Sequence, residues 1–305
     1  MSSSAPKLTD SETKFNPPQN NRDSETKSKT YWSLVGKRII TNKSAVSGAC
    51  ILLFFVSISL LAPWIAPHPV DVMNFEQRFL PPGGQHFLGT DDFGRDIFSR
   101  ILYGGRVSLM MGLVAVLIAG VIGVTLGVIS GYYRRFDIYI MQVMDILLAF
   151  PSLLLAIAII AVLGVGLTNA MIAVAISAIP SYVRVVRGSV LSIREKEYIE
   201  AVKALGVSDF RIILKHVFPN VLSPIIVLSS LQFGTSILVA AALSFLGLGA
   251  QPPTPEWGSM AYVGKAFLGQ AWWMSLFPGL AIMLVVLGFN LLGDGLRDAL
   301  DPRQK

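Results

Sequence analysis

The chain has 305 residues, of which 53% are hydrophobic and only 14% are charged, and its mean hydropathy is +0.60. This composition leaves too little polar surface for an ordinary soluble domain, and the single cysteine, Cys50, excludes a disulfide scaffold. The formal net charge of +6 is explained by an uneven distribution of lysine and arginine along the chain and gives no support for a nucleic-acid partner.

The N-terminal segment differs in character from the rest of the chain. Residues 1–29 are rich in Ser, Lys, Asn and Thr and contain no apolar core, which predicts a disordered cytoplasmic tail and not a cleaved signal peptide. Residues 30–43 mix apolar with basic side chains. This mixture predicts a helix that lies at the cytoplasmic membrane interface.

The remaining chain contains six uncharged runs long enough to cross a bilayer, since a helix needs about 20 apolar residues to do so. These runs predict transmembrane helices over residues 44–64, 107–130, 138–164, 168–186, 221–247 and 274–292. The predicted fold class is therefore an all-α membrane protein with six transmembrane helices. Residues 65–106 form its extracytoplasmic loop, 107–292 its core of five spans, and 293–305 its cytoplasmic tail.

The orientation follows from the basic residues, because loops on the cytoplasmic side retain positive charge. Twenty of the 25 lysines and arginines lie in the N-terminal region up to Lys43, in the loops after the second and fourth spans, and in the C-terminal tail. This distribution predicts that both termini and the segment 195–220 are cytoplasmic.

The loop before the second span contains the sequence LGTDDFGRDIFSRILYGGRVSL over residues 88–109. Thr90 is a candidate N-cap with aspartates in the following turn, and Gly104 is a candidate stop. We expect a short helix lying flat on the outer surface. Its polar and turn residues are Thr90, Asp91, Gly94, Arg95, Asp96 and Arg100. A calcium loop is disfavoured because the D-x-D-x-D-G spacing is absent.

The second span carries small residues every four positions, namely Ala119, Gly123, Gly127 and Gly131. Small residues at this spacing let another helix backbone approach closely. We expect this face to contact a partner permease; the alternative is that it faces lipid.

Asp145 is the one acidic residue predicted inside a span, about seven residues from its cytoplasmic end. A charge there is costly without a partner, so we expect an ion pair with Arg134, Arg184 or Arg187; a role in translocation is the alternative. Trp257, Trp272 and Trp273 are assigned to the outer aromatic belt, where tryptophan is common.

Residues 195–220 form a charged segment between two apolar spans. Its sequence predicts two short helices that reverse direction at Gly206, with Ser208 capping the second helix and Asp209 in its first turn. The pair is too short and too charged to insert into the membrane. Its alternatives are a solvated interfacial loop, a DNA-binding helix pair, which the adjacent spans disfavour, and a docking surface for another protein.

The pattern Glu200-Ala201-Val202, then Gly206 and later Pro219, resembles the EAA loop of bacterial ATP-binding-cassette importer permeases. That loop forms the helix that docks into the ATPase subunit. Val202 replaces the second alanine of the general motif, and His216 and Phe218 replace aliphatic residues. The resemblance implies a docking surface made of Tyr198, Glu200, Ala201, Val202, Leu205, Gly206, Ser208 and Asp209.

Three further stretches carry the same resemblance: residues 88–109, SFLGLGAQPPTPEWGSM over 244–260, and FNLLGDGLRDALDPR over 289–303. They resemble the C-type permease subunit of dipeptide, oligopeptide and nickel importers, and with the EAA loop the resemblance extends from about Lys37 to the C-terminus. It implies the six-span type I importer permease fold with a cytoplasmic coupling helix, in a multi-pass protein of the bacterial inner membrane.

The resemblance also implies partners: a related B-type permease, two cytoplasmic ATPase subunits and an external solute-binding protein, all assembled in membrane lipid. No G-x-x-x-x-G-K-[ST] phosphate loop occurs in the chain, so ATP and Mg²⁺ are expected on the ATPases. The sequence predicts no catalytic residue, no cofactor-binding residue and no metal ligand, and the resemblance implies a transport subunit, with ATP hydrolysis on the partner chains, and not an enzyme.

Short peptides are the expected substrate, with nickel chelates, glutathione or another small solute as alternatives. Two other function classes stay open at this point. One is an ion-coupled secondary transporter, although no mid-membrane ionisable site or inverted repeat is recognised. The other is a membrane scaffold without transport activity.

Overall fold

The computed structural model describes residues 36–300. The predicted tail 1–29, the first part of the predicted interfacial helix and the last residues of the C-terminal tail lie outside this range. Within it, residues 36–41 are helical and precede eleven longer or shorter α-helices. These are α1 (Lys43–Leu60), α2 (Ala62–Ile65), α3 (Ile97–Tyr132), α4 (Arg134–Leu148), α5 (Ser152–Leu163), α6 (Leu167–Arg194), α7 (Glu197–Ala204), α8 (Asp209–Ile212), α9 (Phe218–Phe245), α10 (Trp257–Lys265) and α11 (Trp273–Leu300).

The described part of the chain is all-helical apart from turns and one isolated bridge, as predicted. Five helices are long and apolar enough to cross a membrane: α1, α3, α6, α11 and the continuous helix Asp209–Phe245, which joins α8 to α9 through a π-turn. The pair α4 and α5 supplies a sixth span if it crosses as one unit.

The third predicted span is not a straight helix, because α4 and α5 meet at 95°. Pro151 occupies the N-cap of α5 with an extended backbone. Proline has no backbone N–H to donate and disfavours a helical conformation at the residue before it, which explains the break. The sequence predicted residues 138–164 as one span, whereas the structure divides them between two helices.

The predicted in-plane helix starting at Thr90 is wrong. Residues 91–95 form a turn, Thr90 bridges to Asp96, and Asp96 is the N-cap of α3, with its carboxylate accepting from the Ser99 N–H at 2.8 Å. The helix then continues through Gly104 into the second span for 36 residues. A glycine in a helix interior costs about 1 kcal/mol, but here its missing side chain makes room for the Trp257 indole.

The region that precedes α3 is held by buried charges. Asp91 binds the Arg95 guanidinium at 2.7 Å, and both side chains are almost fully buried. Arg100 donates to the Val70 carbonyl at 2.9 Å. Buried charges are costly unless they are paired, so these contacts fix the shape of the loop over the N-terminus of α3.

The tryptophans 257 and 273 do not lie in an aromatic belt. Trp257 is fully buried and donates to the Ile101 carbonyl at 3.0 Å, and Trp273 is buried and donates to the Thr90 carbonyl at 3.1 Å. Of the three tryptophans assigned to the belt, only Trp272 is exposed, at 49%. The assignment of the other two to the membrane interface is therefore wrong: each joins α10 or α11 to the segment around the start of α3.

Glu256 caps α10 from a fully buried position. Its carboxylate accepts from the backbone N–H groups of Gly258 and Ser259 and from the Ser108 hydroxyl, at 2.8 to 3.1 Å. Burial raises the pKa of this carboxyl above its usual value. The cap connects α10 to α3, because Ser108 belongs to the latter helix.

The small residues of α3 pack against α6 of the same chain. A Cβ atom added at Gly127 would lie 2.8 Å from the Val186 Cβ, and one added at Gly131 would lie 2.7 Å from the Val190 Cβ. A Cβ atom added at Gly123 would lie closer still to the Tyr182 Cβ. Ala119 is fully buried. The spacing correctly predicted close helix packing, but the expected contact with a partner subunit is wrong, and so is contact with lipid.

Candidate functional site

The charged segment 195–220 forms the helical hairpin that the sequence predicts. Helix α7 places Glu197 and Glu200 in its first turn and Lys203 in its last, which is the favourable arrangement for the helix dipole. Gly206 follows at φ +77°, a left-handed conformation that ends helices and that glycine adopts without strain. Ser208 occupies the N-cap of α8, but its side chain makes no capping hydrogen bond.

The inner face of the hairpin is anchored in a hydrophobic cluster. Ile199, Ile212 and Val217 are fully buried and pack with Val186 and Val190 of α6. Burial of each such side chain contributes about 1.5–3 kcal/mol. The hairpin is therefore a fixed part of the fold and not a loose loop.

The outer face is exposed, although it carries large apolar side chains. Of the eight residues predicted for docking, all are exposed except Val202, which packs against the hydrophobic cluster that contains Ile199 and Ile212. Leu205 is 81% exposed and Tyr198 is 42% exposed. Phe210, which the sequence reading did not select, is 73% exposed beside them. Exposed apolar groups clustered at the tip of a charged hairpin are typical of a surface that contacts another protein or a membrane.

Polar contacts connect the hairpin to the end of α3. The Tyr132 hydroxyl donates to Asp209 Oδ1 at 2.7 Å, and the Lys203 ammonium lies 5.0 Å from the centre of the Tyr132 ring. Arg194 donates to the carbonyls of Gly131 and Tyr132, both at 3.1 Å. These carbonyls are at the C-terminus of α3, where a helix leaves acceptors without internal partners.

The sequence reading missed Tyr132 and Arg194. Tyr132 lies 77 positions before Asp209, and no local pattern relates the two. The available signal was a tyrosine at the predicted cytoplasmic end of the second span, a position where an aromatic residue is ordinary and indicates no particular contact.

A cleft of about 400 Å³ lies between the hairpin and the α3–α4 connection. Its lining carries charges of both signs, from Arg134, Arg194, Glu195, Glu200 and Lys203, together with Tyr132. Such a cleft suits the charged rim of a protein contact, and it contains no glycine-rich loop of backbone amides to cradle a phosphate chain.

Two ion pairs connect α4 to α6. Asp137 accepts two hydrogen bonds from Arg187, the longer at 2.7 Å, and a further one from the Ser130 hydroxyl. Asp145 pairs with Arg184 at 3.0 Å, one of the three arginines predicted for it, and both side chains are about 60% exposed. Such an exposed pair adds little stability in water, but it offsets the charge of an aspartate near the predicted span.

Comparison with known proteins gives two family matches. Residues 123–305 match the binding-protein-dependent transport system inner membrane component, and residues 30–82 match the N-terminal transmembrane domain of oligopeptide transport permease C. Together the two matches include the hairpin and the first span.

Individual relatives cover most of the chain. The dipeptide transport system permease protein DppC of Alkalihalophilus pseudofirmus is 53% identical over 275 residues, 90% of each chain. The probable D,D-dipeptide transport system permease protein DdpC of Escherichia coli K12 is 45% identical, covering 90% of this chain and 91% of the relative. The glutathione transport system permease protein GsiD of Pectobacterium atrosepticum is 44% identical, covering 91% and 93%.

A similar fold occurs in a solved structure, an inward-facing conformation of the MetNI methionine ABC transporter. The TM-score is 0.55 over 65% of this chain and 94% of the other, at 20% sequence identity. At this identity the likeness concerns the fold alone.

Proposed function

The chain belongs to the family of binding-protein-dependent transport system inner membrane components, and from that premise we propose that it is one permease half of an ATP-driven importer of short peptides. The main support for this proposal is the 53% sequence identity, over 90% of both chains, to a dipeptide transport permease. The relatives named for glutathione, itself a short peptide, are compatible with the same substrate class but are less similar.

The proposed partners are a B-type permease, an external solute-binding protein and two ATPase subunits that carry ATP and Mg²⁺. The hairpin supports the ATPase contact. Its anchored base makes it rigid, and its exposed Leu205 and Phe210 are apolar side chains suited to a groove on a partner. The distribution of lysine and arginine supports a bacterial inner-membrane protein with the hairpin and both termini in the cytoplasm.

The proposed coupling runs from the hairpin into the spans. When the ATPases close on ATP, the docked hairpins move, and Tyr132 and Arg194 pass that displacement to the ends of α3 and α6. Because the glycine face of α3 is packed tightly on α6, the two helices move as one body and do not slide past each other.

Uptake by the reconstituted complex tests this function. With ATP enclosed in the vesicles and the binding protein outside, we expect labelled dipeptide to accumulate only when ATP is present, and glutathione to accumulate more slowly. In the same vesicles a cysteine at Ser208, in a Cys50→Ser background, should react with impermeant reagent only from the ATP side. Uptake driven by an ion gradient without ATP would refute the importer, and uptake of glutathione but not dipeptide would refute the substrate.

Replacing Tyr132 by Phe tests the coupling route. The change removes the hydrogen bond to Asp209 and leaves the exposed tip intact. We expect transport to fall by about two- to tenfold, the effect of 0.5–1.5 kcal/mol of hydrogen-bond energy, while the ATPases still co-purify. Tyr133→Phe is the matched control, because that hydroxyl makes no hydrogen bond within residues 36–300. Equal transport by both variants would remove Tyr132 from the route.

A further inference from the structure

We propose that His68, His86 and Asp96 form a binding site for one divalent transition-metal ion of the zinc class. Their candidate ligand atoms all lie within 4.8 Å of one another. His86 Nδ1 lies 2.9 Å from Asp96 Oδ1, and the two imidazole rings are 4.6 Å apart between centroids. This proposal concerns a different part of the molecule from the hairpin and does not depend on the transported substrate.

The spacing suits a metal with short bonds to nitrogen and oxygen. Bonds of about 2.0–2.2 Å in a tetrahedral site place ligand atoms roughly 3.3 Å apart. The His86–Asp96 pair is already near that separation, and the ligand atom of the partly exposed His68 ring, within 4.8 Å of the others, has at most about 1.5 Å to close. His86 and Asp96 are both buried, so the site offers two fixed ligands and one adjustable one.

Hydrogen bonds from neighbouring residues orient these three side chains, as outer-shell partners orient the ligands of a metal site. Asp96 Oδ2 accepts from the Ser99 N–H at 2.8 Å and from the Ser99 hydroxyl at 2.7 Å, which leaves Oδ1 directed at the histidines. His68 Nε2 lies 3.0 Å from the Gln85 carbonyl, and the His68 backbone N–H donates to Ser99 Oγ at 3.2 Å. Such contacts fix ring orientation and raise metal affinity.

The donor set selects the class of ion. Two neutral imidazoles and one carboxylate suit Zn²⁺ and neighbouring ions such as Co²⁺, Ni²⁺ and Cu²⁺, whereas Ca²⁺ and Mg²⁺ prefer oxygen ligands. Three protein ligands leave the fourth tetrahedral position for water or another small ligand. The carboxylate offsets one of the two charges of the ion.

Metal binding here would join two distant parts of the chain. His68 follows α2, at the end of the first span, while Asp96 caps α3. An ion between them would close the loop 66–96 onto the start of the helix that packs against α6. Sequence reading predicted no metal ligand, because the histidines are 18 positions apart and Asp96 was placed within a surface helix.

Zinc binding to the purified complex tests the site. The complex is prepared without a polyhistidine tag, stripped with chelator and titrated with Zn²⁺ against a competing indicator. We expect His68→Ala to weaken zinc binding at one high-affinity site per copy of this chain. Loss of an outer-shell partner weakens metal binding roughly 10- to 100-fold, and loss of a ligand should weaken it at least as much. His68 is the first choice because it is only partly buried and its loss leaves the His86–Asp96 contact intact.

Two matched variants make the test decisive. His216→Ala removes the only other histidine of the chain and should leave zinc binding unchanged. His68→Cys, in a Cys50→Ser background, should retain the site and give a thiolate-to-metal absorption band with Co²⁺. If His68→Ala binds as many zinc ions as tightly as the wild type, or if His68→Cys gives no such band, the three residues form a hydrogen-bonded cluster without a metal and the proposal is overturned.

Discussion

Gly206→Val is expected to abolish transport while the protein remains folded in the membrane. At φ +77° a non-glycine residue costs about 1–2 kcal/mol, and a β-branched one more. No atom of the chain lies within 4 Å of the position that a Cβ would take, so the chain itself has room for the side chain. We therefore expect the damage at the partner surface: a displaced α8 and a valine between the hairpin and its ATPase.

The measurement is uptake together with co-purification of the ATPases, normalised to the permease present in the membrane. We expect transport to fall more than about tenfold, which corresponds to 1.4 kcal/mol or more of lost coupling, with the ATPases only weakly bound. Glu200→Ala should have the same effect more mildly, because an exposed charge at a wet rim contributes less than a steric fit.

Gly247→Val is the matched control. This glycine has nearly the same backbone angle, φ +78°, and equally open surroundings, but it follows α9 at the opposite end of that helix from the hairpin. We expect it to leave ATPase binding at the wild-type level. If both variants lose the ATPases equally, the effect is general misfolding. If Gly206→Val transports at the wild-type rate with its ATPases bound, the hairpin has no coupling role.

Replacing Gly123 and Gly127 together by Leu should prevent the chain from folding. Both positions contact α6 so closely that even a Cβ atom overlaps Tyr182 or Val186. Overpacking costs roughly 1–3 kcal/mol at each site where side chains can yield, and here backbone and Cβ atoms stand in the way. We expect a large loss of monodisperse protein in detergent and a lower melting temperature for what remains.

Gly120→Leu is the control on the same helix. Its nearest neighbour, an atom of the Tyr182 ring, is 3.8 Å from the would-be Cβ, so a larger side chain has room to turn aside. This variant should express and melt like the wild type. Wild-type melting of the double variant would contradict the packing of α3 on α6. A defect seen only when the partner permease is added would contradict it as well.

The hairpin was predictable because its signals are local. Charge, apolar spacing and the glycine reversal all lie within residues 195–220, and the structure confirms two helices with Gly206 between them. The contact of Asp209 with Tyr132 was not predictable, since only the packing of α3 against α6 brings those residues together.

At the start of α3, contacts with distant residues decide which of two candidate N-cap residues begins the helix. Thr90 and Asp96 are both good N-cap residues. The Thr90 hydroxyl, however, donates to the Gln77 carbonyl and accepts from the Leu80 N–H, and the Thr90 carbonyl accepts from Trp273. These bonds hold Thr90 in the loop and leave Asp96 to cap the helix. No pattern within residues 88–109 contains that information.

The sequence by itself determined that the chain is an all-helical membrane protein with a charged helical hairpin between two spans, because hydropathy, charge and helix stop signals act over a few turns of backbone. Only the tertiary structure decided which helix covers the glycine face of α3, that Trp257 and Trp273 are internal, and that His68, His86 and Asp96 meet. Small residues permit a close approach of another helix, and buried polar side chains require hydrogen-bond partners. Neither property specifies which distant segment of the chain supplies the contact. That choice depends on the packing of the whole chain.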